Sequence, residues 1–131
     1  MIDWKNCKCG SPDLGLLFMR LALGGVFAVH GWAKLQNLEG TAGFFGSLGL
    51  PGGLAYLVAV VEFFGGIAII LGLFTHWLGK AMALIMVGAI FFVKWPKGGW
   101  NASEFELALL TLALGVTMLG PGNYTVKKLL K

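Results

Sequence analysis

A chain of 131 residues that is 57% hydrophobic and only 12% charged lies well outside the soluble range, in which about 25% of residues carry charge. That balance excludes a water-soluble domain and asks for lipid as the solvent. The net charge of +4 reads as membrane sidedness and calls for no nucleic-acid partner.

Residues 1–13 form a short tail that contains Cys7 and Cys9 and ends in Ser11-Pro12-Asp13: an N-cap, a proline at the first helical position and an acid in the first turn. From Leu14 to Ala33 the only ionisable residues are Arg20 and His30, and roughly 20 apolar residues suffice to cross a ~30 Å hydrocarbon core. A first helix over 12–35 follows. Lys5 and Lys8 ahead of an apolar stretch also fit a signal peptide, but the stretch is too long for an h-region and Pro12 and Asp13 sit badly before it, so no cleavage is expected. The link from Gln36 to Gly53 mixes Phe44 and Phe45 with glycines. It is too apolar for a solvated loop and too short to span, which leaves an interfacial or partly re-entrant flap, or a flexible linker lying on the headgroups. After Pro51 a second helix over 53–74 carries Glu62 as its only charge. Trp77 and Trp95 bracket a third, over 77–95, in the manner of an aromatic belt, with Lys80 and Lys94 placed to snorkel. The fourth, over 103–119, opens with two overlapping capping-box spacings, Asn101 to Glu104 and Ser103 to Glu106, and Gly120-Pro121-Gly122 stops it. The expected fold is all-α, an integral membrane four-helix bundle over residues 14–125 with a basic tail at 126–131.

Four crossings put both termini on one side, together with the link between helices two and three. That side gathers Lys5, Lys8, Arg20, Lys80, Lys127, Lys128 and Lys131 against Lys34, Lys94 and Lys97 opposite. The positive-inside rule therefore places both termini in the cytoplasm of a multi-pass cell-membrane protein.

At 100° per residue, Arg20, Gly24, Phe27, Gly31 and Lys34 share one stripe of helix one with His30 at its edge, and Ala55, Ala59, Glu62, Gly66 and Ile69 share one face of helix two. The small residues mark both faces as sites of close helix contact. Depths also agree, since at 1.5 Å per residue His30 lies ~8 Å and Glu62 ~12 Å below the outer surface. With Lys34 able to bend inward and Glu104 at the outer start of helix four, these four residues form one candidate cluster beneath the flap. A carboxylate inside a membrane costs ~3 kcal/mol even on a lenient scale, which makes Glu62 the residue most in need of a partner or a role. Each residue also has a structural reading: His30 and Lys34 as interface anchors, Glu104 and Glu106 as caps, Arg20 as a snorkelling contact to cytoplasmic headgroups, His76 as a surface residue.

Cofactor motifs are few. Bis-histidine haem needs two ligands at one depth, whereas His30 and His76 fall at opposite faces. Cys7 and Cys9 form a Cys-Lys-Cys on the cytoplasmic tail, where free thiols are expected; half a zinc site in a dimer stays open. No nucleotide fingerprint occurs. No metal site and no built-in electron carrier are expected.

Taken together, Arg20, the His30-Gly31-Trp32-Ala33-Lys34-Leu35 exit, the flap "SLGLPGG", the segment "VEFFGGIAIILGLFT" and Gly120-Pro121-Gly122 resemble the DoxX family of small four-helix membrane proteins, over about residues 14–125. Family members often follow the last glycine with a Ser and an Asp; here Asn123 to Lys127 contains no acid. The resemblance implies a membrane subunit associated with quinone-linked redox work, not necessarily an enzyme on its own, which takes electrons from a partner protein. In that reading His30 or Lys34 holds a quinone oxygen, Glu62 and His30 handle protons, and Lys34 and Glu104 contribute to ligand binding. Two alternatives stay open: a non-catalytic scaffold or assembly factor in which the cluster only locks the bundle, and a proton-coupled exporter that would need to homo-oligomerise.

Overall fold

The computed structural model describes residues 11–131 and is all-helical over them, in the order α1 (Pro12–Gln36), α2 (Leu38–Ser47), α3 (Gly52–Leu71), α4 (Thr75–Ala89), a π-helical segment (Ile90–Lys94), α5 (Trp95–Leu119) and α6 (Val126–Leu129). Cys7 and Cys9 lie outside the described residues. Among the described residues three runs are long and apolar enough to cross a bilayer: 12–36, 52–71 and 75–119. The last comprises 45 residues. At 1.5 Å per residue a straight helix of that size is roughly twice as long as a ~30 Å core is thick. It is not straight. Gly98 and Gly99 leave helical geometry, Gly99 at φ 56° and ψ −129°, and α5 folds back to pack along α4. Only glycine takes that conformation without cost.

The buried face of α1 is Arg20, Leu23, Gly24, Phe27 and Gly31, and that of α3 is Ala55, Ala59, Glu62, Gly65, Gly66 and Ile69. Among the described elements these two helices pack together most extensively. A Cβ added at Gly66 would sit 2.6 Å from the Ala28 nitrogen and the Gly24 carbonyl oxygen, and one at Gly31 would strike the Phe63 backbone. The small residues are therefore the contact surface itself, as in lipid, where van der Waals approach rather than water expulsion joins helices. Leu23, Phe27 and Ile69 then meet Met82, Met86, Leu109 and Val116 in one core.

Several local expectations change. Helix two ends at Leu71, three residues early, because Gly72 takes the left-handed C-cap at φ 79°. Helix three starts at Thr75 and finishes in π geometry. Neither capping box of helix four forms: helical residues begin ahead of Ser103, whose hydroxyl donates back to the Gly99 carbonyl at 2.8 Å. Ser11 occupies the N-cap of α1, but its hydroxyl caps nothing. Asp13 instead accepts from the Asn123 backbone and side-chain amides at 3.0 and 2.7 Å, so α1 supplies the acid that the C-terminal turn lacks.

The largest correction concerns Arg20. Its expected outward reach to the headgroups does not occur; the side chain is 1% exposed and turns into the protein. Nε donates to the Ile69 carbonyl at 3.1 Å, Nη2 to those of Ile70 and Tyr124 at 3.0 and 2.7 Å, and Nη1 to that of Pro121. The physical reason is the end of α3. Terminal helix carbonyls have no partner of their own and carry partial negative charge, and the guanidinium offers five donors in a fixed fork. At this depth protein must satisfy them.

Candidate functional site

The opposite end of the bundle collects the remaining buried charge. Lys34, in the last turn of α1, extends its Nζ to within 2.5 Å of Glu62 Oε2 on α3, and the Glu62 side chain is 3% exposed. Helix geometry explains the meeting: Gly31, one turn before Lys34, rests on the backbone at Glu62 and Phe63, which brings the two axes close enough for the lysine stem to reach.

A second pair faces the first. Lys94 closes the π segment, in which the Trp95 amide donates to the Ile90 carbonyl five residues back. The wider turn moves the residues after it round the helix axis. Lys94 Nζ lies 3.2 Å from Glu106 Oε1 on α5. Glu106 is 7% exposed, and among the described residues its Oε2 is buried without a hydrogen-bond partner. An unpartnered buried acceptor is costly, and in a native fold it asks for an explanation.

Both pairs border a cavity of about 240 Å³ whose apolar walls include Phe27, Phe44, Phe45, Met86, Phe105 and Leu109. The flap is the helix α2, begun by Asn37, whose side chain accepts from the Gly40 amide; it sets Phe44 and Phe45 against the cavity. His30 lines the cavity from an exposed position and stacks on Phe105 at 6.2 Å between ring centroids. Lys34, not His30, is the base that meets Glu62. Glu104 departs from expectation: it is exposed and does not border the cavity. Two residues further along the helix the side chain rotates by about 200°, so Glu106 takes the inward place. His76 stands at the other end, its Nδ1 3.2 Å from the Thr117 carbonyl. Among the described residues no three His, Cys, Asp or Glu side chains converge as metal ligands.

Lys94 and Glu106 are the site residues that sequence reasoning misses. Lys94 reads as a snorkelling anchor and Glu106 as half of a capping box. The available signal is the spacing of Ser103, Glu106, Leu109, Ala113 and Val116, which continues one helical face from the glutamate into the core.

Helices of this length and apolarity, closed at one end over balanced buried charge, define a small helical membrane protein. Residues 15–95 match the family model DoxX, and the chain belongs to the DoxX family. It is 39% identical over 110 residues to a Bacillus subtilis (strain 168) protein named "Putative oxidoreductase CatD", covering 84% of this chain and 82% of the relative. It is 32% identical over 122 residues to "Inner membrane protein YqjF" of Escherichia coli (strain K12), covering 90% and 93%. An uncharacterised Haemophilus influenzae protein is 38% identical over 101 residues, covering 72% of this chain and 73% of that one. No solved structure matches.

Proposed function

We propose that the protein is the membrane subunit of a quinone-linked redox system, with four crossings, both termini cytoplasmic and the charged cavity near the outer face. The observation that carries the reading is Glu106 Oε2: a buried acceptor with no partner among the described residues, beside two lysine ammoniums and aromatic walls. Those groups suit a substituted ring that bears oxygens. At 240 Å³ the cavity falls just below the ~300 Å³ at which ordinary small-molecule pockets begin, which favours one ring. A quinone supplies a two-electron, two-proton couple. Lys94 or Lys34 Nζ donates to a ring carbonyl oxygen, while Glu106 Oε2 accepts from a ring hydroxyl. Glu62 fixes Lys34 in place, and His30 at the mouth passes protons between the cavity and the aqueous side. Electrons come from a partner protein, since this chain carries no electron-transfer group of its own in the proposal. The oxidoreductase in the name of the Bacillus relative is consistent with this assignment.

The test is purification in lipid nanodiscs, followed by extraction and chromatography of bound quinone. Stoichiometric quinone in the native protein and its loss in Glu106→Leu, with the melting temperature maintained, is the expected outcome. A second reading has its own support, because the two ion pairs tie α1 to α3 and the π segment to α5, as a scaffold requires. A partner complex with unchanged redox activity in Glu62→Ala and Glu106→Leu favours that scaffold.

A further inference from the structure

A second cavity lies behind the charged one. It measures about 740 Å³ and is walled almost wholly by hydrocarbon: Leu54, Leu57 and Val61 of α3 on one side, Leu84, Gly88 and Phe91 of α4 and the π segment on the other. Phe45, Ile85, Ala89 and Val93 line both spaces. α3 packs far more extensively on α1 than on α4, so the cleft opens sideways, toward the lipid that surrounds a membrane helix.

We propose that this cleft is the berth of a single long hydrocarbon tail whose uncharged ring head occupies the charged cavity, and that such a ligand arrives laterally from the bilayer. The inference rests on the ring-binding reading above and adds its tail. Charge selects the class. Lys34 and Lys94 are matched by Glu62 and Glu106, so the cavity offers no net attraction for an anionic lipid headgroup and suits a neutral one. Size selects it too, because a phospholipid headgroup with two chains outgrows a single-ring cavity, whereas one chain can pass from the shared wall into the cleft. The tail gains little from leaving water, since lipid is as apolar as the cleft; dispersion contacts with a fitted wall decide its place.

Gly88 provides a clean obstruction. A Cβ there meets nothing within 4 Å, so Gly88→Phe projects a ring into the open cleft without striking backbone. The experiment uses the full chain in nanodiscs and a quinol analogue with a photoactivatable diazirine at the far end of a long alkyl tail, together with a tailless ring analogue whose binding is measured separately. Saturable labelling of peptides spanning 54–61 and 84–92, competed by unlabelled tailed compound and abolished in Gly88→Phe, is expected, while the tailless ring binds the variant as it binds the native protein. Labelling that is not competed means the cleft holds bulk lipid and overturns the proposal, leaving ring binding intact. A loss of self-association in Gly88→Phe assigns the cleft to a second copy of the chain and overturns it as well. Failure of the tailed compound alone overturns the proposal, whereas failure of both compounds to bind overturns the ring-binding reading, and this inference falls with it.

Discussion

At the scale of residues, the Lys34–Glu62 pair is asymmetric and its mutants should show it. Glu62 is 3% exposed and Lys34 26%, so Lys34→Met strands a carboxylate in apolar protein at a cost on the order of 3 kcal/mol. Glu62→Gln leaves an ammonium on a long stem that can swing to the interface, which costs about 1 kcal/mol. The double mutant should be less damaged than the sum, by about 1 kcal/mol or more, in thermal melts in detergent. Additive losses would show that the two side chains do not depend on each other. His30→Gln combined with Glu62→Gln should by contrast be additive, because His30 stacks on Phe105 and Lys34 holds the carboxylate. Glu62 is legible in the sequence because a lone charge inside an apolar run needs a partner. The wheel and the depth count leave His30 and Lys34 both in reach of it, and the choice of Lys34 comes from the close approach of α1 and α3 at Gly31. Glu106 is hidden by competing local grammar. Asn101, Ser103, Glu104 and Glu106 fit a helix start so well that the inward face of one glutamate is obscured, and only the Gly98–Gly99 break decides where the helix begins.

At the scale of elements, the apolar segments are legible because lipid imposes their length, while their ends answer to partners that sequence spacing does not carry. Arg20 is the clearest case. A basic residue in the first turns of a membrane helix has an outward path to headgroups, and nothing local predicts that the end of α3 and the Pro121–Tyr124 turn present four carbonyls to it. Arg20→Lys should be poorly tolerated for that reason: one ammonium is a point charge with three donors and cannot reproduce the fork. A loss of about 2 kcal/mol is expected from the unpaired buried carbonyls, read as a lowered melting temperature, and a melt equal to that of the native protein would demote Arg20 to a surface contact. Gly72→Ala should share the defect, because its Cβ collides with Thr125 at an unfavourable positive φ. The π segment is equally silent in sequence. Ile90 to Lys94 reads as ordinary helix, and its extra residue shows only in the register that delivers Lys94 to Glu106.

At the scale of the whole molecule, sidedness decides what the charged cavity can exchange protons with, and the folded-back run 75–119 makes it measurable. Lys97 is exposed beside the Gly98–Gly99 break, at the same end of the bundle as the cavity, whereas the N-terminal tail precedes the opposite end of α1. With both termini cytoplasmic, an impermeant maleimide added to intact cells should label Lys97→Cys in a Cys7→Ser, Cys9→Ser background. It should leave the native Cys7 and Cys9 unlabelled until the membrane is opened. The reverse pattern would place the cavity on the cytoplasmic side against the lysine bias, and the proposed exchange with the outer aqueous phase would fail. Protection of Lys97→Cys from both sides would mean that 75–119 crosses once, a path about 68 Å long for 45 residues and incompatible with α5 packed on α4. Gly99→Ala separates conformation from topology: forcing a Cβ into φ 56°, ψ −129° should cost about 1–3 kcal/mol. The labelling pattern should stay the same while the melt falls, because lipid sets which segments cross and the glycine sets only how cheaply the chain turns back.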